Sequence, residues 1–169
     1  MNDLYMDWLQ TNRNFNDKEA WSKEKFPDAS YRYFEDAGCL VCSLAVMLRH
    51  YGIEKMNLGR RFNPWILNER LIECGAFSSA ADLDLNYISR IYPLEYLGEI
   101  PYSYNELLKC VKRNLMCLIT VPGEKARRHF MTLLELNSYQ DATVFDPMYG
   151  IKSIITYKRI CEIRVFRIV

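Results

Sequence analysis

Charge of one sign, long apolar runs, histidine and paired metal-binding motifs are all scarce in this sequence, and each shortage excludes something. Lysine and arginine number 22 against 21 aspartates and glutamates, a formal net charge of +1. A domain that neutralises phosphates is strongly basic, so nucleic acid is not an expected partner. No apolar run approaches the roughly 20 residues that a membrane-spanning helix needs. The opening stretch, MNDLYMDWLQTNRNFNDKEAW, lacks a basic segment followed by an apolar one. No signal peptide is therefore expected, and the chain is expected to be cytoplasmic at synthesis. Cys39 and Cys42 form a lone C-x-x-C with no second C-x-x-C or H-x-x-x-H, which is half a zinc site. Neither metal nor cofactor is expected. No repeat, low-complexity tract or Gly/Ser linker divides the chain, so residues 1–169 read as a single domain.

What is present is a well-supplied core. Half of the residues are apolar and 14% are aromatic. The six cysteines (39, 42, 74, 110, 117 and 161) lie mostly within apolar runs, as reduced, buried thiols do. Leu40, Leu44, Leu48 and Tyr51 recur at helical spacing, with Val41, Ala45 and Met47 widening the stripe and Gly52 as the stop. A helix over 40–51 that is apolar almost all round belongs in the centre of the protein. Further helices are predicted over 64–74, with Pro64 in its first turn and Gly75 past its end, and over 82–91 and 104–114. The period then changes. Segments 116–121, 129–136, 142–146, 151–157 and 161–169 read as strands, with GEKARR, NSYQD and DPMYG as turns. Helices followed by short strands indicate an α+β fold with an antiparallel sheet.

Cys39 stands at the start of the central helix, where unpaired N–H groups and the helix dipole favour an anion. Such surroundings make a thiol easier to ionise, and the thiolate is the reactive species. A thiolate nucleophile needs a histidine, and there are only two. His50 closes the same helix, eleven residues from Cys39 and hence about 16 Å away. His129 opens a strand, and Asp146 ends the next one just before a turn. Antiparallel pairing sets the start of one strand beside the end of the next, so His129 and Asp146 are predicted neighbours. Cys39, His129 and Asp146 follow the chain order Cys, His, Asp/Asn of papain-like enzymes. Cys42, one turn into the helix, reads as packing. A redox role for Cys39-x-x-Cys42 lacks the preceding strand that such motifs require.

GCLVCSLAVMLRHYG resembles the cysteine box of the bacteriocin-processing double-glycine peptidases and their broader peptidase-like relatives in bacteria and phages. NPWILNERLIECGAF is similar to the segment that follows it in the broader group, and HFMTLLEL with ATVFDPMYG to their His-Phe, Asp-Pro and Gly block. The resemblance covers roughly residues 36–150. It implies a papain-like fold: an N-terminal helical half, whose central buried helix bears the cysteine, packed on a C-terminal antiparallel sheet. It implies Cys39 as nucleophile, His129 as general base and Asp146 as its orienting residue. Gln10, in WLQTNRNF, resembles the oxyanion-hole glutamine of the broader group. Two positions depart from the narrower pattern: Tyr33 stands six before Cys39 in place of glutamine, and Leu40 replaces the glycine after the nucleophile. Loss of one oxyanion donor costs about 2.7–4 kcal/mol.

Two functions follow as expectations. One is a cysteine peptidase acting on a peptide or protein, such as a cell-wall peptide or a phage or bacterial protein, without coupling to a membrane exporter. The other is a catalytically weak or inactive papain-like domain serving as a structural or binding module. Its partners would be other proteins of a phage or bacterial assembly, and its location virion-associated if the chain is of phage origin.

Overall fold

The computed structural model describes residues 5–12, 17–53, 62–123, 128–138 and 140–169. The turn expected at GEKARR falls mainly on 124–127, outside the described residues, as does Tyr139 of NSYQD.

A short helix α1 (Phe34–Ala37) leads through Gly38 into α2 (Cys39–His50), whose residues Val41 to Leu48 are all buried. Its apolar circumference explains why it lies at the centre. Gly52, at φ +71°, breaks the chain away in the left-handed conformation that glycine adopts without strain. Helix α3 (Pro64–Glu73) follows, its N-terminus capped by the Asn63 side chain, which accepts from Ile66 N–H at 2.9 Å. The helix expected over 82–91 is a six-residue 3-10 turn, Leu85–Arg90, started by Asp84. It stays tight because the Asp84 side chain accepts from Asn86 N–H, two residues on, at 3.0 Å.

Strand β1 (Leu94–Pro101) was not expected. Bracketed by Pro93 and Pro101 and interrupted by Gly98, it reads as a loop from sequence. It is an edge strand, kinked by a bulge between Tyr96 and Gly98. Helix α4 (Tyr104–Lys112), capped by Ser103, precedes the remaining strands: β2 (Met116–Val121), β3 (His129–Leu136), β4 (Asp141–Asp146), β5 (Gly150–Ile155) and β6 (Glu162–Ile168). A four-residue helix α5 (Thr156–Arg159) takes the end of the expected 151–157 strand. The sheet order is β1-β6-β2-β3-β4-β5, and every pair is antiparallel. The α+β expectation, a central cysteine helix on an antiparallel sheet, is borne out.

Alternation along the central strands divides the core in two. Met116, Leu118, Phe145 and Phe166 pack toward α2, while Cys117, Ile119, Val144 and Val165 meet Leu107 and Cys110 of α4 on the other face. All six residues of β2 are buried because both faces are covered. Helix α2 is tied to β3 by two polar contacts. Ser43 Oγ donates to the Phe130 carbonyl at 2.9 Å, and Thr132 Oγ1 donates to the Ser43 carbonyl at 2.6 Å.

The α1–α2 junction admits only glycine for a steric reason. A Cβ at position 38 would stand 2.5 Å from the Phe34 carbonyl oxygen and 2.7 Å from its ring, which is fully buried. Gly38→Ala is therefore expected to destabilise the fold by about 1–3 kcal/mol, as overpacking does, measured by urea denaturation. An unchanged midpoint would mean that the junction can yield.

Candidate active site

Cys39 is the first residue of α2 and is half-buried on the wall of a cleft of about 370 Å³. Trp21, Leu40, Phe77, Leu83 and Phe130 supply the apolar part of that wall, and Arg128 its basic rim. Cys42 is fully buried, and burial holds its thiol well above the ordinary range. Cys39 faces a solvent-filled cleft, whereas Cys42 faces packed side chains.

His129 opens β3, and its ring is near enough to the Cys39 side chain to be influenced by it. Its hydrogen bond runs from Nε2 to Asp146 Oδ1 at 2.8 Å. Strand pairing accounts for it. Thr132 pairs with Phe145, so one further step sets Asp146 opposite Met131, two residues from His129. Side chains related in this way are diagonal neighbours on one face of a sheet.

Asp146 is almost wholly buried, with 1% of its surface exposed. Burial alone would raise its pKa, but hydrogen bonds from His129, Lys152 and the Met148 N–H outweigh this and hold it below the usual carboxylate range. Burial likewise disfavours a charged His129, but the hydrogen bond to the Asp146 carboxylate and the neighbouring Cys39 side chain push it up to about 9. At neutral pH the ring is therefore an imidazolium set between the Asp146 carboxylate and the Cys39 sulfur.

Lys152, on β5, bonds to Asp146 Oδ2 and was missed in the sequence. The DPMYG turn held the signal. Asp146 pairs with Gly150 across that hairpin, so Lys152 is diagonal to Asp146 by the same two-residue rule.

Gln10 is buried and lies close by, its backbone N–H donating to the Pro147 carbonyl at 3.0 Å. Its Nε2 donates to the Glu35 carbonyl at 2.5 Å, and its Oε1 has no partner among the described residues. One N–H of the amide is thus engaged by the approach to α2. Tyr33 is exposed and its backbone bridges to Glu19. His50 sits at the far end of α2 with its ring edge-on to Tyr51, remote from Cys39.

Arg128 connects the site to the far edge of the sheet, pairing with Glu162 at 3.0 Å and Glu99 at 3.4 Å. Cys110 and Cys117 are neighbouring free thiols on the opposite face of the sheet, where Cys117 draws the Cys110 thiol below its ordinary range. Among the described residues, no group of three His, Cys, Asp or Glu side chains is placed to hold a metal ion.

No protein-family model matches the sequence, and no curated protein matches it. A solved structure does resemble this one: the crystal structure of a double glycine motif protease from an AMS/PCAT transporter, in complex with the leader peptide. The two superpose with a TM-score of 0.51 at 22% identity, over 78% of this chain and 84% of that one. At that identity the likeness shows a shared, papain-like protease fold. No described helix is long and apolar enough to cross a membrane.

The raised His129 pKa has a consequence for stability. A proton held until about 9 in the folded chain, against 6.5 for free imidazole, stabilises fully below about pH 6.5 and is lost as the pH rises toward 9. Urea titrations of wild type across that window are expected to show a fall in stability that His129→Ala largely lacks. Parallel falls in the two proteins would place the effect elsewhere.

Proposed function

We propose that this protein is a cysteine peptidase, and one observation carries the reading: the His129 ring is hydrogen-bonded to the buried Asp146 carboxylate and interacts with the Cys39 side chain, so that three separate elements meet at one point. Cys39, on α2, is at the wall of an open cleft, with His129 on β3 and the buried Asp146 on β4 beside it. The shared fold with a protease supports the reading without carrying it, since function resides in sites rather than folds.

The chemistry follows from the geometry. The Cys39 thiolate, its proton already carried by the His129 imidazolium, attacks the carbonyl carbon of a peptide bond held in the cleft, and the carbonyl electrons move onto oxygen. The Cys39 backbone N–H, in the first helical turn where no intrahelical acceptor exists, is one donor for that oxyanion. The second N–H of the Gln10 amide is the other. The tetrahedral adduct collapses as the His129 imidazolium gives its proton to the departing amine, leaving a thioester on Cys39. His129, now neutral, takes a proton from water, whose oxygen attacks the thioester; the carboxylic acid product leaves and ionises in solvent, and the Cys39 thiolate and His129 imidazolium are restored. Asp146 holds Nε2 of the ring, which leaves Nδ1 to serve Cys39.

The substrate is a peptide or protein segment, and the apolar wall of Trp21, Leu40, Phe77, Leu83 and Phe130 favours an apolar stretch beside the scissile bond. The structural neighbour is in complex with a leader peptide. A cell-wall peptide and a bacterial or phage protein are the substrate sources the sequence resemblance suggests. One observation favours a second reading, a binding module: the Gln10 amide already donates to Glu35, and Leu40 stands where relatives have glycine.

Alkylation by iodoacetamide near pH 6, mapped by mass spectrometry, separates the two. Cys39 is expected to react well ahead of the exposed Cys161, and His129→Ala is expected to slow it by about tenfold or more. In a screen of peptide substrates, Cys39→Ala is expected to lower cleavage by about 10⁴-fold or more, whereas Cys42→Ala leaves it near wild type. Slow labelling of Cys39, or cleavage indifferent to Cys39→Ala, would hand the lead to the binding module.

A further inference from the structure

We propose that Lys152 is a positioning residue of this site: its ammonium group holds the Oδ2 edge of Asp146 so that Oδ1 faces His129, and its charge loosens the hold of Asp146 on the His129 proton. The inference rests on the peptidase reading for its effect on turnover, but not for its effect on His129.

The bond count around Asp146 motivates it. A carboxylate with 1% of its surface exposed needs partners for both oxygens. Oδ1 accepts from His129 Nε2 and from the Met148 N–H, each at 2.8 Å. Oδ2 has Lys152 alone among the described residues. Lys152 reaches it from the outer strand of the sheet, with 35% of its side chain exposed and Nζ 5.0 Å from the Tyr149 ring. Two cations therefore share one buried carboxylate whenever His129 is protonated. Lys152 is not on the wall of the cleft that holds Cys39, so it acts through Asp146 rather than on substrate.

The charged and titratable groups facing His129 allow the sign to be worked out. Cys39 comes from α2, Asp146 from β4 and Lys152 from β5, while Asp36 of α1 lines the same cleft. Arg128 precedes His129 and is paired with Glu99 of β1 and Glu162 of β6. β2 sets the uncharged Val121 opposite His129. Removing the Lys152 charge leaves Asp146 undivided, so the imidazolium gains stability and parts with its proton at higher pH. A His129 that holds its proton more firmly is a weaker acid toward the leaving amine.

The test compares Lys152→Gln, which keeps a donor near Oδ2 without charge, with Lys152→Arg, which keeps the charge; Lys152→Met is a third variant if Gln folds poorly. NMR titration of the His129 ring is expected to move upward by about one pH unit in Lys152→Gln and to stay near wild type in Lys152→Arg. The alkaline limb of activity moves with it, and kcat falls roughly threefold while KM holds. A merely structural lysine would lower the urea midpoint and leave the His129 titration where it was, which would overturn the proposal. So would a downward shift, or equal shifts in Gln and Arg. Because the titration needs no substrate, a wild type that cleaves nothing would sink the peptidase reading while the Lys152 result still stood or fell alone.

Discussion

The site depends on how helix α2 is docked on strand β3. Ser43 and Thr132 exchange hydrogen bonds across that contact, Ser43 Oγ to the Phe130 carbonyl and Thr132 Oγ1 to the Ser43 carbonyl. Ser43 is four residues from Cys39 and so lies on the same face of the helix, one turn along. Phe130 and Thr132 flank the beginning of β3, immediately after His129. Fixing Ser43 against these two residues thus fixes the distance and rotation of Cys39 relative to His129. Apolar packing alone would leave the helix free to slide by fractions of an ångström. Ser43 and Thr132 are both fully buried, and a buried hydroxyl left unbonded costs about 1–3 kcal/mol, which penalises any other register. Gly38 serves the same end from the other side, because only a residue without Cβ lets Phe34 close over the helix start.

Placing a helix N-terminus against a strand start also divides the labour between the two halves of the chain. The helical half contributes the thiol, and the sheet contributes the imidazole, the carboxylate and the ammonium group set in a row behind it. Within the sheet the charges form a relay across adjacent strands: His129 on β3, Asp146 on β4 and Lys152 on β5. Hairpins of fixed register keep such a row aligned without help from loops. A buried carboxylate is costly unless all its partners are present, and breaking one buried pair typically costs about 3–5 kcal/mol. The row therefore behaves as a unit, and the polarity of the site is built into strand order.

Much of this was legible from sequence, and the parts that were not share a cause. The central helix announced itself because nearly all of its circumference is apolar, and β2 because its six residues are all apolar or threonine. The His129–Asp146 contact needed only two consecutive strands and a turn, which are local. Strand β1 was hidden because its partner, β6, lies far along the chain and its own residues include a glycine and a terminal proline. The docking hydroxyls were hidden for the same reason: Ser43 and Thr132 are 89 residues apart, and nothing in either segment points to the other. Gln10 could be placed near the site by type, but its donation to Glu35 is a tertiary fact. Lys152 was the one local feature overlooked, since an exposed lysine in a strand ordinarily signifies a solvated face.

The two cysteines of the central helix show most directly how position governs chemistry. Cys39 and Cys42 are three residues apart, on one helix, with the same side chain. At Cys42 the helix is already enclosed, and burial raises the cost of a thiolate beyond any use. At Cys39 the chain has only just turned inward, so its sulfur reaches the cleft in the neighbourhood of an imidazolium. A helix that is apolar all round has only its ends free of the core, and the N-terminal end is the one whose N–H groups favour an anion. A nucleophile on such a helix must therefore be its first residue. The base must then come from another element, because His50, the histidine the helix itself carries, lies at the wrong end. The sheet, docked through Ser43 and Thr132, is what brings one within reach.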